Sequence, residues 1–177
     1  MRDPDPRTLR RARQGDLGAF EELVRASQAD VYRFALHLAR DTATAEDITQ
    51  ETYLRAFRFL HSFRGDCKFS SWLLRITRNC AMDALRARSQ RAERDLLAPL
   101  PGEDTDPVAR MELDTALTAV SAEHREPFLL IEVYGLSYQE AADVLHVRVG
   151  TVKSRMHRAR KAMCEALALD EEDAGEV

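Results

Sequence analysis

Phe20, Leu23, Val24, Val31, Phe34, Ala35 and Leu38 recur at steps of three and four residues. That is the period of one helix face, and it predicts an amphipathic helix from about Leu17 to Arg40. Ile48, Tyr53, Ala56, Phe57 and Leu60 continue the pattern as the inward positions of a second helix. It opens at Thr44, with Asp47 at the capping-box position, and ends near Leu60. Its other face carries Asp47, Gln50, Glu51 and Arg55. The period then breaks over HSFRGDCKFSS, His61 to Ser71, where Gly65 and mixed charges predict a surface loop. Ser70 or Ser71 caps a third long helix, which buries Trp72, Leu73, Ile76 and Cys80. The opposite side presents Arg75, Asn79, Met82 and Arg86, with Arg78 beside them, so one face is apolar and the other basic.

From about Arg88 to Asp106 the periodicity fades, Pro99, Pro101 and Pro107 appear, and Glu103, Asp104 and Asp106 replace the arginines. This reads as a linker. Beyond it, Met111, Leu113, Ala116, Leu117 and Val120 predict a helix from about Arg110 to Val120. Another passes through Phe128, Leu129, Leu130 and Val133. Pro127 lacks a backbone donor, so that helix either starts just before Phe128 or is kinked there.

The segment GLSYQEAADVLHVRVGTVKSRMHRARKAM has helix-turn-helix dimensions. Gly135 ends one helix, and Ser137 with Glu140 forms a capping box that opens the next. Tyr138, Ala141, Ala142 and Leu145 form the inner face of that short helix. After the turn His146 to Arg148, a longer helix begins near Val149, with Val149, Val152, Met156, Ala159 and Met163 on one face. Lys153, Ser154, His157, Arg158, Arg160 and Lys161 project elsewhere, and no acid occurs from Val144 to Cys164. A solvated charged face usually mixes both signs. A purely basic one after a tight turn fits a recognition helix, whose early polar residues approach base edges while flanking arginines meet phosphates.

Composition narrows the class. With 7 Gly and 6 Pro in 177 residues, long stretches lack a helix breaker, which favours an all-α protein. The expected architecture is two small helical domains, 7–90 and 110–169, joined by a flexible linker at 91–109 and followed by an acidic tail at 170–177, with the helix-turn-helix in the C-terminal domain. A net charge of -4 excludes coating DNA by bulk attraction, so any DNA contact comes from a local basic surface. Cys67, Cys80 and Cys164 show no CxxC spacing, and neither a signal peptide nor a membrane-spanning apolar run is present. A cytoplasmic protein without a metal site, a cofactor or membrane insertion is expected.

Three segments, in this order, resemble an extracytoplasmic-function sigma factor, the smallest (group IV) class of bacterial RNA polymerase sigma factors. AEDITQETYLRAFR resembles the part that grips the polymerase clamp helices, FRGDCKFSSWLLRITRNCAMDALR the minus-ten reader, and LSYQEAADVLHVRVGTVKSRMHRAR the minus-thirty-five reader. The resemblance assigns Asp47, Gln50, Glu51, Leu54 and Arg55 to core polymerase, whose β and β′ subunits are the implied partners. It makes the loop Arg64 to Ser70 (with Asp66, Cys67 and Lys68) a pocket for a base flipped from the non-template strand. Arg75, Arg78 and Asn79 then hold the exposed strand. Phe63, Phe69 and Trp72 have rings that can stack on bases, while the phase of Trp72 with Ile76 favours core packing. In the distal domain it assigns Lys153, Ser154, His157 and Arg158 to the promoter, and Arg148, Thr151 and Arg160 to the DNA backbone. Cys67 departs from the pattern at a position that affects base preference. An anti-sigma factor is the implied regulatory partner.

Two other classes compete. A transcriptional regulator could bind duplex DNA through the last helix, but a phosphorylation-controlled one alternates strands with helices, and the first hundred residues here show only helical periodicity. An enzyme would need a glycine-rich phosphate loop, a paired nucleophile and base, or metal-ligand spacing, and none is found.

Overall fold

A computed structural model describes residues 1–94 and 120–173. The chain divides into two compact units, Met1–Thr105 and Asp106–Val177, and among the described residues all regular structure is helical.

The first unit contains α1 (Pro6–Arg13), α2 (Leu17–Ala39), α3 (Thr42–Phe59), a 3-10 turn (Leu60–Ser62) and α4 (Phe69–Arg94). Helix α1 lies outside the periodic pattern, with Pro6 in its first turn, where a missing N–H costs nothing. The Asp16 carboxylate accepts the Ala19 N–H at 3.0 Å to start α2. Arg40, left-handed at φ 53°, ends it. The predicted start of α3 needs correction. Asp41, not Thr44, is the cap, accepting the Thr44 N–H at 2.9 Å and also the Thr44 hydroxyl. These bonds hold its carboxyl below the ordinary range, the hydroxyl bond most of all.

Helix α4 is the central element. Its buried side holds Leu73, Leu74, Thr77, Cys80 and Ala81, a wider face than the predicted Trp72, Leu73, Ile76 and Cys80, because α2 and α3 both pack on it. One cluster gathers Leu23, Val31, Ala56, Leu60, Phe63, Phe69, Trp72 and Leu73. A second gathers Ala35, Ala39, Ala45, Ile48, Cys80 and Ala81, and Ile76 packs against both. Leu73 is fully buried, so truncating it to Ala would cost about 2–5 kcal/mol. Phe57, predicted inward, is instead 50% exposed. Its ring meets Phe20 edge-on at 5.1 Å across the α2–α3 seam.

In the second unit α5 (Ala122–Phe128) continues into a π-helical turn (Leu129–Val133), followed by α6 (Tyr138–Leu145) and α7 (Val149–Asp173). Pro127 lies inside α5, so the helix does not start just before Phe128; it starts at Ala122 and passes into the π-helical turn after Phe128. Beyond the proline the ladder widens: the N–H groups of Tyr134 and Leu136 reach back to the carbonyls of Leu129 and Leu130 at 3.0 and 2.9 Å. Buried Arg125 donates to the Val120 carbonyl at 2.6 Å. Gly135 then turns the chain at φ 71°.

Helix α4 continues through Arg94 and α7 through Asp173, so regular structure enters both the expected linker and the expected tail. The rest of the linker, and the predicted helix Arg110 to Val120 apart from Val120 itself, lie outside the described residues.

Candidate nucleic-acid interface

Helix α3 places Asp47, Gln50 and Leu54 on one exposed strip, with Glu51 and Arg55 at its half-buried edge. Leu54, at 53% exposure, lies one helical turn before Phe57, which is also half open to solvent. Arg55 differs from the rest of the set. Its Nε donates to Glu51 at 2.7 Å and its Nη1 to Asp83 of α4 at 2.9 Å, which together hold the guanidinium charge and raise its pKa. Asp83 has no periodic signature, and only the folded chain brings it here.

The loop before α4 is shorter than predicted. Leu60–Ser62 forms the 3-10 turn, and α4 starts at Phe69. Gly65, at φ 83°, permits the reversal. Arg64, Asp66 and Lys68 are exposed, and Cys67 is half-buried against the apolar cluster below. Ser70 departs from its predicted place at the surface: it is 4% exposed, and its backbone N–H donates to Asp3 Oδ1 at 2.8 Å. Neither Ser70 nor Ser71 is the cap, since both fall inside the first turn of α4.

The three rings pack on one another. Phe63 lies 6.2 Å from Phe69 and 5.2 Å from Trp72, and Phe69 lies 5.7 Å from Trp72. All three are buried, so they form the floor under the loop, as the phase of Trp72 suggested. On α4 itself Arg75 and Arg78 are half-buried and Asn79 is exposed, one helical turn apart. Cationic and amide groups thus occur at exposed or half-buried positions both in the loop and on α4.

The second unit builds its surface on α6 and α7. The Ser137–Glu140 capping box is present: the Glu140 N–H donates to Ser137 Oγ at 3.2 Å, and the Ser137 N–H to Glu140 Oε2 at 2.8 Å. His146 ends α6 in the left-handed region at φ 56°, and the Val147 N–H closes the turn onto the Ala142 carbonyl at 3.1 Å. Helix α7 buries Val152, Met156, Ala159 and Met163, which turns Lys153, Ser154, His157 and Arg158 outward together. Arg148 is exposed ahead of the first turn, and Thr151 is half-buried within it. Arg160 is paired with Glu132 at 2.6 Å. Arg155, which the sequence reading passed over, bridges to Glu123 of α5 at 2.5 Å. The two pairs tie α7 to α5 and to the π-helical turn that continues it. In a run of basic residues nothing local separates these two, which pair with acids of earlier elements, from Lys153, His157 and Arg158.

Among the described residues no cluster of metal-ligating side chains occurs, and no helix is long and apolar enough to cross a membrane.

This is a helix-turn-helix protein in its second unit, with a separate helical unit carrying a loop and a cationic helix in its first. The Sigma-70 region 2 family matches residues 23–91, and the Sigma-70, region 4 family matches residues 110–163. The ECF RNA polymerase sigma factor SigC of Mycobacterium tuberculosis is 37% identical over 158 residues, covering 86% of this chain and 85% of that protein. The ECF sigma factor SigE of Mycolicibacterium smegmatis is 36% identical over 166 residues, and the match spans 88% of this chain and 64% of SigE. Among solved structures, the sigma factor RpoE bound to the anti-sigma factor NepR, from Bartonella quintana, aligns with TM-score 0.71 at 29% identity over 85% of this chain and 98% of RpoE. CnrH in complex with the cytosolic domain of CnrY aligns with TM-score 0.67 at 26% identity, over 92% of this chain and 96% of CnrH. The chain belongs to the ECF group of RNA polymerase sigma factors.

Proposed function

We propose that each unit carries one promoter-reading surface and that the first also docks the chain on core polymerase. Asp47, Gln50, Glu51 and Leu54 form the docking strip on α3, with Arg55 acting from its ion-paired position. Arg64, Asp66, Cys67 and Lys68 form a pocket for a base flipped out of the non-template strand. Ser70 supports that pocket from below, and Arg75, Arg78 and Asn79 hold the exposed strand. Unstacking a base costs a few kcal/mol, which contacts to the captured base and to phosphates offset. On α7, Lys153, Ser154, His157 and Arg158 read the duplex minus-thirty-five element, and Arg148 and Thr151 meet its backbone. Arg160 reaches a phosphate only by giving up Glu132.

The observation that carries this reading is the geometry of α7. Four polar or cationic side chains share one exposed face immediately after a turn, over a segment without a single acid. Two weakly binding units on one chain gain affinity from each other, because engagement of one raises the local concentration of the other at its element. Phosphodiester chemistry belongs to polymerase, and this chain contributes contacts without catalysis. The complexes of RpoE with NepR and of CnrH with CnrY support an anti-sigma factor as a partner, and a cytoplasmic location follows from work on the chromosome.

The test is in vitro transcription from a pool of genomic promoter fragments, with core polymerase in the presence and absence of the protein. Specific transcripts that depend on the protein are expected. Duplex binding without initiation, with an active core, would overturn the reading in favour of an ordinary regulator.

A further inference from the structure

Helix α4 begins without an acidic residue in its first turn, although the N-terminus of a helix exposes unpaired N–H groups and favours negative charge. The missing carboxylate comes from far away in sequence. Asp3 Oδ1 accepts the Ser70 N–H at 2.8 Å, across 67 positions. The first backbone bond of the helix runs from the Trp72 N–H to the Lys68 carbonyl at 3.1 Å, so the residue that Asp3 holds is continuous with Cys67 and Lys68 of the loop. Around this contact, Ala12 belongs to the cluster of Phe63, Phe69 and Trp72, and Met1 and Leu9 pack against it. Helix α1 also touches the 3-10 turn that leads into the loop. Residues 1–13 therefore meet both ends of the loop and its aromatic floor. The Sigma-70 region 2 match starts only at residue 23, so it leaves this contact unaccounted for.

We propose that residues 1–13 are a brace for the minus-ten loop, and that Asp3 is its positioning residue, fixing the start of α4 and thereby the pocket formed by Arg64 to Lys68. This rests on the reading of that loop as the base pocket. Asp3 touches no DNA. It acts through the Ser70 N–H, and a neutral side chain with the same acceptor oxygen does the same work.

The experiment compares the full chain with its Asp3→Ala, Asp3→Asn and Lys68→Ala variants, each bound to core polymerase. The probe is a labelled promoter fragment, taken from the transcription assay, with its minus-ten segment pre-melted. Asp3→Ala is expected to weaken its capture about fivefold, the order of one lost cap, while affinity for a duplex minus-thirty-five fragment stays at the wild-type value. Trp72 is the single tryptophan and lies in the floor of the loop, so its emission should shift to the red in free Asp3→Ala protein. Asp3→Asn should restore both capture and emission. If Lys68→Ala weakens capture but Asp3→Ala does not, the brace is refuted and the pocket stands. If neither variant weakens it, the pocket reading fails and the brace with it. Equal losses in Asp3→Ala and Asp3→Asn would refute capping, and a parallel loss of minus-thirty-five binding would mean general unfolding, which also overturns the proposal.

Discussion

Arg55 of α3 donates through Nη1 to Asp83 of α4 at 2.9 Å while its Nε holds Glu51 of its own helix at 2.7 Å. One guanidinium thus ties the proposed polymerase strip to the helix that carries the proposed strand-binding residues. Glu51 and Asp83 are 43% and 53% exposed, so water screens the pairs and each is worth only about 0.2–1 kcal/mol. A double-mutant cycle of Arg55→Ala and Asp83→Ala, read by urea unfolding, should show coupling of that size. Strict additivity would mean that the bridge ties nothing.

Separable surfaces give a second prediction. Replacing Lys153 and Arg158 with Ala should weaken minus-thirty-five binding, lower the slope of log K against log salt by about 1 to 2, and leave affinity for core polymerase intact. Replacing Asp47 and Glu51 with Ala should do the reverse. Equal loss of both activities in either variant would contradict the assignment of faces.

Tyr53 makes the first unit sensitive to alkali. Its hydroxyl meets Ser27 Oγ at 2.8 Å in a partly buried site, and burial pushes its pKa from 10.0 up to about 12. A group whose folded pKa is raised contributes stability that is intact below the unfolded value and lost as pH climbs through the folded one. Thermal unfolding should therefore show the first unit weakening between pH 10 and pH 12, with a smaller loss in Tyr53→Phe. At neutral pH that variant should cost about 1 kcal/mol, the worth of one hydrogen bond. Identical alkaline profiles for the two proteins would place the sensitivity elsewhere.

His146 pays a conformational cost at the end of α6. It holds φ 56°, where a side chain costs about 1–2 kcal/mol and glycine nothing, against the roughly 0.5–1 kcal/mol that glycine loses in chain entropy. His146→Gly should raise the stability of the second unit by up to about 1 kcal/mol in denaturant unfolding. A loss of stability would show that the imidazole makes a contact that matters.

Much of the fold was legible along the chain because its causes are local. The Ser137–Glu140 capping box joins residues three apart, Gly135 turns where a positive φ is needed, and the apolar period of α2 and α7 marks their buried faces; each is decided within a turn or two of helix. The same locality explains the misplaced start of α3. Asp41 and Thr44 both have capping chemistry, and only the path of the chain after Arg40 selects Asp41. Short α1 offers only Leu9 and Ala12 as apolar positions amid arginines, too few to mark a helix, so the segment that braces the loop went unseen. The proposed DNA face of α7 was legible as charge without acid, but that Arg155 and Arg160 pair with Glu123 and Glu132 was not.

The sequence by itself determined the helical class, the two-unit division, the turn between α6 and α7, and the residue types on each candidate surface, since hydrophobic period, capping and backbone preference act over a few residues. Tertiary structure alone decided that Asp3 caps α4, that Asp83 claims Arg55, that Arg155 and Arg160 pair with Glu123 and Glu132, and that Ser70, Phe63 and Phe69 lie beneath the loop. These contacts join residues 28 to 67 positions apart or depend on which face the packed helices leave open. Nothing in the local pattern encodes such partners, because they exist only once burial of the shared core has fixed the helices against one another.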